Sequence, residues 1–162
     1  MDDAIACLTD RIVAFLRSVG ISVETATLAD DGFLPAMTVR DGVLYYDPSR
    51  LPFHPGDLLH EAGHIAVTDP ALRPTVSDFS EATTSDGDEM AAMCWSYAAA
   101  LAMKIDPRVV FHDHGYRGDG AHLAQTYADG HYIGLPILQY YGLAARKDED
   151  HAPFPAMKRW LR

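Results

Sequence analysis

Helical and extended rhythms alternate along this chain and divide it into elements before any chemistry is considered. Ile5, Leu8, Ile12, Phe15, Leu16 and Val19 recur at helical spacing and Gly20 follows, which predicts an amphipathic helix over residues 2–19. Residues 21–28 alternate loosely and are rich in β-branched side chains, as a strand requires. Two further apolar runs, 33–40 and 43–47, flank Asp41-Gly42, a dipeptide whose tolerance of positive φ is a hairpin signal. The pattern turns helical again over residues 55–68, where Pro55 suits a first-turn position and Asp57 complements the positive helix start. Pro70 and Pro74 end that helix.

Residues 73–88 are polar and aperiodic, which predicts a surface loop. Over 88–104, Met90, Ala91, Met93, Cys94, Tyr97, Ala98, Leu101 and Ala102 form a helix so apolar that it must be central. Gly87 or Asp88 introduces it and Asp106-Pro107 ends it. Further on, Val109–Phe111 suits a short helix, turns fall at 112–115 and 118–120, and short helices are expected over 121–129 and 135–143. A charged segment at 147–155 precedes a last helical turn at 157–161. The expectation is a single α+β domain spanning 1–162. It has a small antiparallel sheet packed on the helix at 55–68, a second alanine-rich helix, and a mainly helical C-terminal part.

The helix at 55–68 contains His60-Glu61-Ala62-Gly63-His64. Residues four apart share a helix face, so both imidazoles can point at one ion, with Glu61 about 100° further round and able to hold a water there. Random order of this composition yields roughly 0.01 such motifs per chain, so the spacing is informative. Leu58, Leu59, Ala62, Ile65 and Ala66 make the helix largely apolar, as burial against a core demands. Gly63 costs about 1 kcal/mol relative to Ala, which is tolerable where another backbone or a substrate comes close.

Catalytic zinc takes three protein ligands and leaves a fourth position open. A third His six residues past His64 is excluded, because Pro70 stands there. The other solution is a carboxylate from a following element, and Glu81 and Glu89 both qualify. Glu89 is favoured because it opens the rigid alanine-rich helix, whereas Glu81 lies in the polar loop. Asp86 and Asp88 are nearby alternatives, although Asp88 also suits a cap.

His60-Glu61-Ala62-Gly63-His64, followed by Glu89-x-x-Ala92 and an alanine-rich helix ending at Asp106-Pro107, resembles the small gluzincin-type metallopeptidase domains of the ImmA/IrrE kind. The resemblance covers about residues 43–107. It implies a zincin-like fold, zinc held by His60, His64 and Glu89, and hydrolysis of a peptide or protein substrate with Glu61 as general base. Thermolysin-like members carry an Asp four residues beyond the ligand Glu to orient a zinc-bound His. Here that position is Met93, so this support must come from elsewhere. An alternative is a zincin-fold protein that binds metal for a regulatory purpose and turns over little.

A donor for the developing oxyanion is also needed. His112, His114, Tyr116, His122, Tyr127, His131 and Tyr132 are candidates. His131 and Tyr132 are favoured because Gly130 and Gly134 beside them allow a turn that projects them into a cleft. His112-Asp113-His114 offers a rival metal site.

Composition narrows the remaining classes. At 162 residues the chain suits one domain with a real core. A net charge of −10 argues against nucleic-acid binding, which relies on Lys and Arg. The chain has no Gly-x-Ser-x-Gly, and Cys94 sits in apolar company, so nucleophilic Ser or Cys catalysis is disfavoured. Cys7 and Cys94 make no disulfide framework, and Met1-Asp2-Asp3 is acidic where a signal peptide is basic. No apolar run is long enough to span a membrane. The expected setting is the cytoplasm.

Overall fold

A computed structural model describes residues 3–29, 36–78 and 85–162. Helix α1 (Asp3–Ser18) buries Thr9, Ile12, Val13 and Leu16; Ile12 and Leu16 belong to the predicted stripe, whose Ile5, Leu8, Phe15 and Val19 pack against the core partly buried. Strands β1 (Val23–Thr25), β2 (Met37–Arg40) and β3 (Val43–Tyr46) are shorter than their apolar runs, and residues 33–35 lie outside the described part. The β2–β3 hairpin turns at Asp41 and Gly42, both at positive φ (49° and 74°), as the dipeptide predicts.

The sheet is mixed rather than antiparallel. Its order is β1-β3-β2, with β2 antiparallel and β1 parallel to the central β3. A hairpin dictates only the direction of its own two strands. Strand β2 runs opposite to β1 and itself returns the chain, so that β3 starts alongside β1 and runs in the same sense. Val23 faces Leu44 in that register, and both are buried.

Helices α2 (Pro55–Val67) and α3 (Asp86–Ala102) lie side by side in the core. Gly63 permits their close approach, since a Cβ there would stand 2.7 Å from the Ala92 carbonyl oxygen. The start of α3 differs from the expected Gly87 or Asp88. Ser85 is the N-cap, and its hydroxyl accepts from the Asp88 N–H at 3.1 Å.

The polar stretch at 73–88 is not a free loop throughout. Residues 73–75 form a 3-10 turn, and residues 76–78 run along the outer edge of β2. The Asp78 N–H donates to the Val39 carbonyl at 2.9 Å, and the Val39 N–H donates to Asp78 Oδ1 at 3.1 Å. The Gly42 N–H donates to the Val76 carbonyl at 2.9 Å.

Beyond α3, residues 107–109 form a 3-10 turn in place of a short helix at 109–111. Helix α4 (Gly120–Ala128) matches its expectation closely, and α5 (Leu135–Tyr140) ends before the expected 143. No helical turn forms at 157–161. That segment docks in irregular form through an Ala144–Met157 bridge and the Trp160 carbonyl, which accepts from Trp95 Nε1 at 2.9 Å. Trp160 packs edge-on against Phe15 and Trp95, so tertiary packing overrides local helical propensity here.

Candidate metal centre

Two helices build the site. In α2, His60 and His64 stand one turn apart on the face turned toward α3, and Glu89 reaches them from the first turn of α3. Glu89 Oε2 lies 3.0 Å from His64 Nε2, and Glu89 Oε1 lies 3.3 Å from His60 Nε2. The two Nε2 atoms are 3.1 Å apart. One donor atom from each residue falls within 4.8 Å of the others, and no other such group occurs among the described residues. His64 is 3% exposed and His60 18%, while Glu89 remains 44% exposed, so the group has a dry floor and an open side.

The electrostatics favour positive charge at the centre of this group. Burial works to raise the Glu89 carboxyl, but hydrogen bonds from His60 and His64 outweigh it and hold Glu89 well below the usual carboxylate range. Burial works to lower His60, yet the hydrogen bond to Glu89 and the charges of Glu61, Glu89 and Asp57 raise it. A proton and a metal ion therefore compete for the same nitrogen atoms. Two neutral imidazoles and one carboxylate are an ordinary donor set for a divalent transition metal, so the residues present fit such an ion.

Glu61 follows His60 on α2, and its carboxyl is raised by burial against the lowering pull of His60 and His64. Beside His64 opens a cavity of about 270 Å³, walled by Val67, Thr68, Leu72, Val76 and Asp88 among others.

The structure sorts the other sequence candidates. Asp88 is engaged elsewhere, accepting from Ser85 Oγ at 2.8 Å and from Tyr141 Oη at 2.9 Å. Asp86 is exposed, and Glu81 lies outside the described residues. No described hydrogen bond or ring contact joins His131 or Tyr132 to the trio. His131 is exposed, and the Tyr132 ring sits 4.7 Å from Phe154 and 6.0 Å from Tyr97. His112 and His114 form no metal group. His112 Nε2 meets Asp57 Oδ1 at 2.6 Å, and the His112 and His114 rings stack on His54 at 4.2 and 5.1 Å.

Tyr116 is the C-terminal candidate brought to the centre, its hydroxyl 3.2 Å from His60 Nδ1. Burial, with help from Glu89, Asp57 and Glu61, pushes its phenol far above the ordinary value. Nothing in the local sequence separates Tyr116 from Tyr127 or Tyr132, because its partner is 56 residues away.

Comparison of the chain with family models, with curated proteins and with solved structures gives no match in any of the three.

Proposed function

We propose that this chain is a zinc-dependent metallopeptidase of zincin-like architecture that hydrolyses a peptide or protein substrate. The observation that carries the proposal is the convergence of His60, His64 and Glu89, with Glu61 of the same His-Glu-x-x-His segment beside them. Two imidazoles and a carboxylate on rigid helices are the donor set of catalytic zinc in hydrolases. When bound, zinc would supply Lewis acidity and make water nucleophilic near neutral pH.

The chain's own residues do the rest. Glu61, biased by burial toward taking up a proton, accepts one from the attacking water and delivers it to the leaving amine. The exposed side of Glu89 leaves the centre open to a substrate. Cys7 and Cys94 are both free thiols, and no described helix is long and apolar enough to cross a membrane, which suits the cytoplasmic setting proposed here.

A second reading has one observation in its favour. Residues 76–78 already occupy the outer edge of β2, where an extended peptide would pair. A metal-binding zincin-fold protein with regulatory rather than hydrolytic use fits that covered edge.

Metal analysis and a peptide-library cleavage assay separate the readings. The wild-type chain is expected to hold one zinc per molecule and to cleave. Glu61→Gln should keep the zinc and lose cleavage by about 10²-fold or more. His64→Ala should lose the zinc. Cleavage surviving Glu61→Gln overturns the mechanism, and full zinc content in His64→Ala overturns the site. Zinc binding without any cleavage favours the regulatory reading.

A further inference from the structure

His60 has two ring nitrogen atoms, and the fold assigns them different duties. Nε2 faces Glu89 and His64, while Nδ1 points away from them to the Tyr116 hydroxyl at 3.2 Å. For Nε2 to offer a lone pair to a cation, the imidazole must carry its proton on Nδ1. That N–H then needs an acceptor, and the Tyr116 oxygen is in place. A metal-ligating imidazole held this way keeps both its tautomer and its ring orientation.

The turn bearing Tyr116 is itself fastened to the start of α2. Gly56 meets the chain so closely that a Cβ there would stand 1.8 Å from the Val109 carbonyl oxygen. Next along the helix, Asp57 Oδ1 pairs with His112 Nε2 at 2.6 Å. The other His112 nitrogen, Nδ1, accepts from the Gly115 N–H at 3.2 Å. His112 therefore carries its proton on Nε2 and ties the tip of the turn to Asp57. The Tyr116 ring lies edge-on to Phe111 at 5.4 Å and to His60 at 6.1 Å. Gly56, Asp57 and His60 thus form one continuous strip of α2 against which residues 109–116 lie.

We propose that Tyr116 is the positioning residue for His60, and that the His112–Asp57 pair latches its turn against the motif helix. This rests on the metal centre proposed above and adds the part of the chain that steadies it. Tyr116 touches no reacting group; it acts through His60. A phenol is neutral and both donates and accepts, so it steers the ring without adding charge to the ligand set.

The test uses the full chain and zinc ion alone, titrated in competition with a chromophoric chelator, followed by cobalt(II) absorption spectra. Wild type is expected to bind one zinc. Tyr116→Phe, which keeps the ring and removes the hydroxyl, should bind about 10- to 100-fold more weakly and shift the cobalt spectrum. His112→Phe, which keeps the stack on His54 but cuts the tie to Asp57, should weaken binding in the same direction and by less. Equal zinc affinity and an unchanged cobalt spectrum in Tyr116→Phe overturn the proposal while leaving the metal centre standing. Absence of zinc binding in wild type overturns both.

One readout needs no variant. In the zinc-loaded wild type, nitrogen-resolved NMR should find the His60 Nδ1 proton bound and slow to exchange. An Nδ1 proton exchanging as fast as that of an exposed imidazole overturns the proposal, however the variants fold.

Discussion

The two ends of α2 are held by different chemistry. At the C-terminal end the helical N–H donors run out with Thr68, whose N–H bonds the His64 carbonyl at 3.2 Å, and each carbonyl from His64 to Val67 finds a donor from beyond the helix. The His64 carbonyl accepts from Thr68 Oγ1 at 2.7 Å, and that of Ile65 from Arg73 Nε at 3.2 Å. The Ala66 carbonyl accepts from the Arg162 N–H at 3.0 Å, and that of Val67 from Arg162 Nη1 at 3.4 Å. Guanidinium groups at this end also complement the negative end of the helix dipole. The N-terminal end has no side-chain cap at all. It is held from the side, by close backbone packing at Gly56 and by Asp57, His54, His112 and Tyr116. The end fixed by permanent charges lies beyond His64, and the end fixed by titratable groups carries His60.

The largest break of this contrast is expected from Gly56→Ala. Its Cβ collides with the Val109 backbone, which cannot step aside as a side chain would. Overpacking of this kind costs about 3 kcal/mol, measured as the shift in denaturant midpoint. Zinc affinity should fall with it, because the displaced segment carries Tyr116.

Arg73→Ala attacks the opposite end. It removes hydrogen bonds to the Ile65, Thr68 and Arg162 carbonyls. A loss of about 2 kcal/mol is expected, as for hydrogen bonds from a charged donor. Its cost should be the same at pH 5.5 and 7.5, since a guanidinium stays charged throughout that range. A cost that changes with pH over that interval would erase the distinction between the ends.

The smallest effect concerns His54, whose imidazole is lowered below its ordinary value by burial, with the neighbouring His112 and His114 adding to it and Asp57 opposing. A lowered histidine takes up its proton more readily in the unfolded chain. Its contribution to stability is therefore present above about pH 6.5 and is lost as pH falls from there through the lower folded value. His60 is raised and slopes the opposite way, so the informative quantity is the difference between wild type and His54→Phe. Relative to wild type, that variant should gain stability as pH falls from 7.5 to 5.5, with the difference read by calorimetry of the metal-free protein.

What the amino-acid sequence disclosed about this molecule follows the range of the forces involved. His60, His64 and the inward faces of α1 and α2 are matters of helical period, so spacing alone places them. Glu89 was accessible because it sits on a helix whose apolar run is unmistakable. The Ser85 cap was also within reach, since a serine three residues before Asp88 is a local signature. Other features depend on partners far along the chain. The direction of β1 follows from its pairing with β3 instead of with its sequence neighbour β2, and the irregular docking of 157–161 follows from Trp95 and Phe15. Tyr116 belongs to this class. Histidines and tyrosines are so frequent after residue 111 that only the packing of Gly56 on Val109 decides which one reaches His60.

The strap of residues 76–78 has a bearing on how copies of this chain meet one another. A bare strand margin is a template on which identical molecules add strand to strand, and proteins protect such margins with charge or cover. Here the margin of β2 is spoken for, with Asp78 both covering Val39 and bringing a carboxylate to the sheet edge. A second molecule would have to evict that segment before it could pair there. Growth of the sheet by self-addition, the opening step of fibrous aggregation, is blocked at this edge for as long as the strap stays in place.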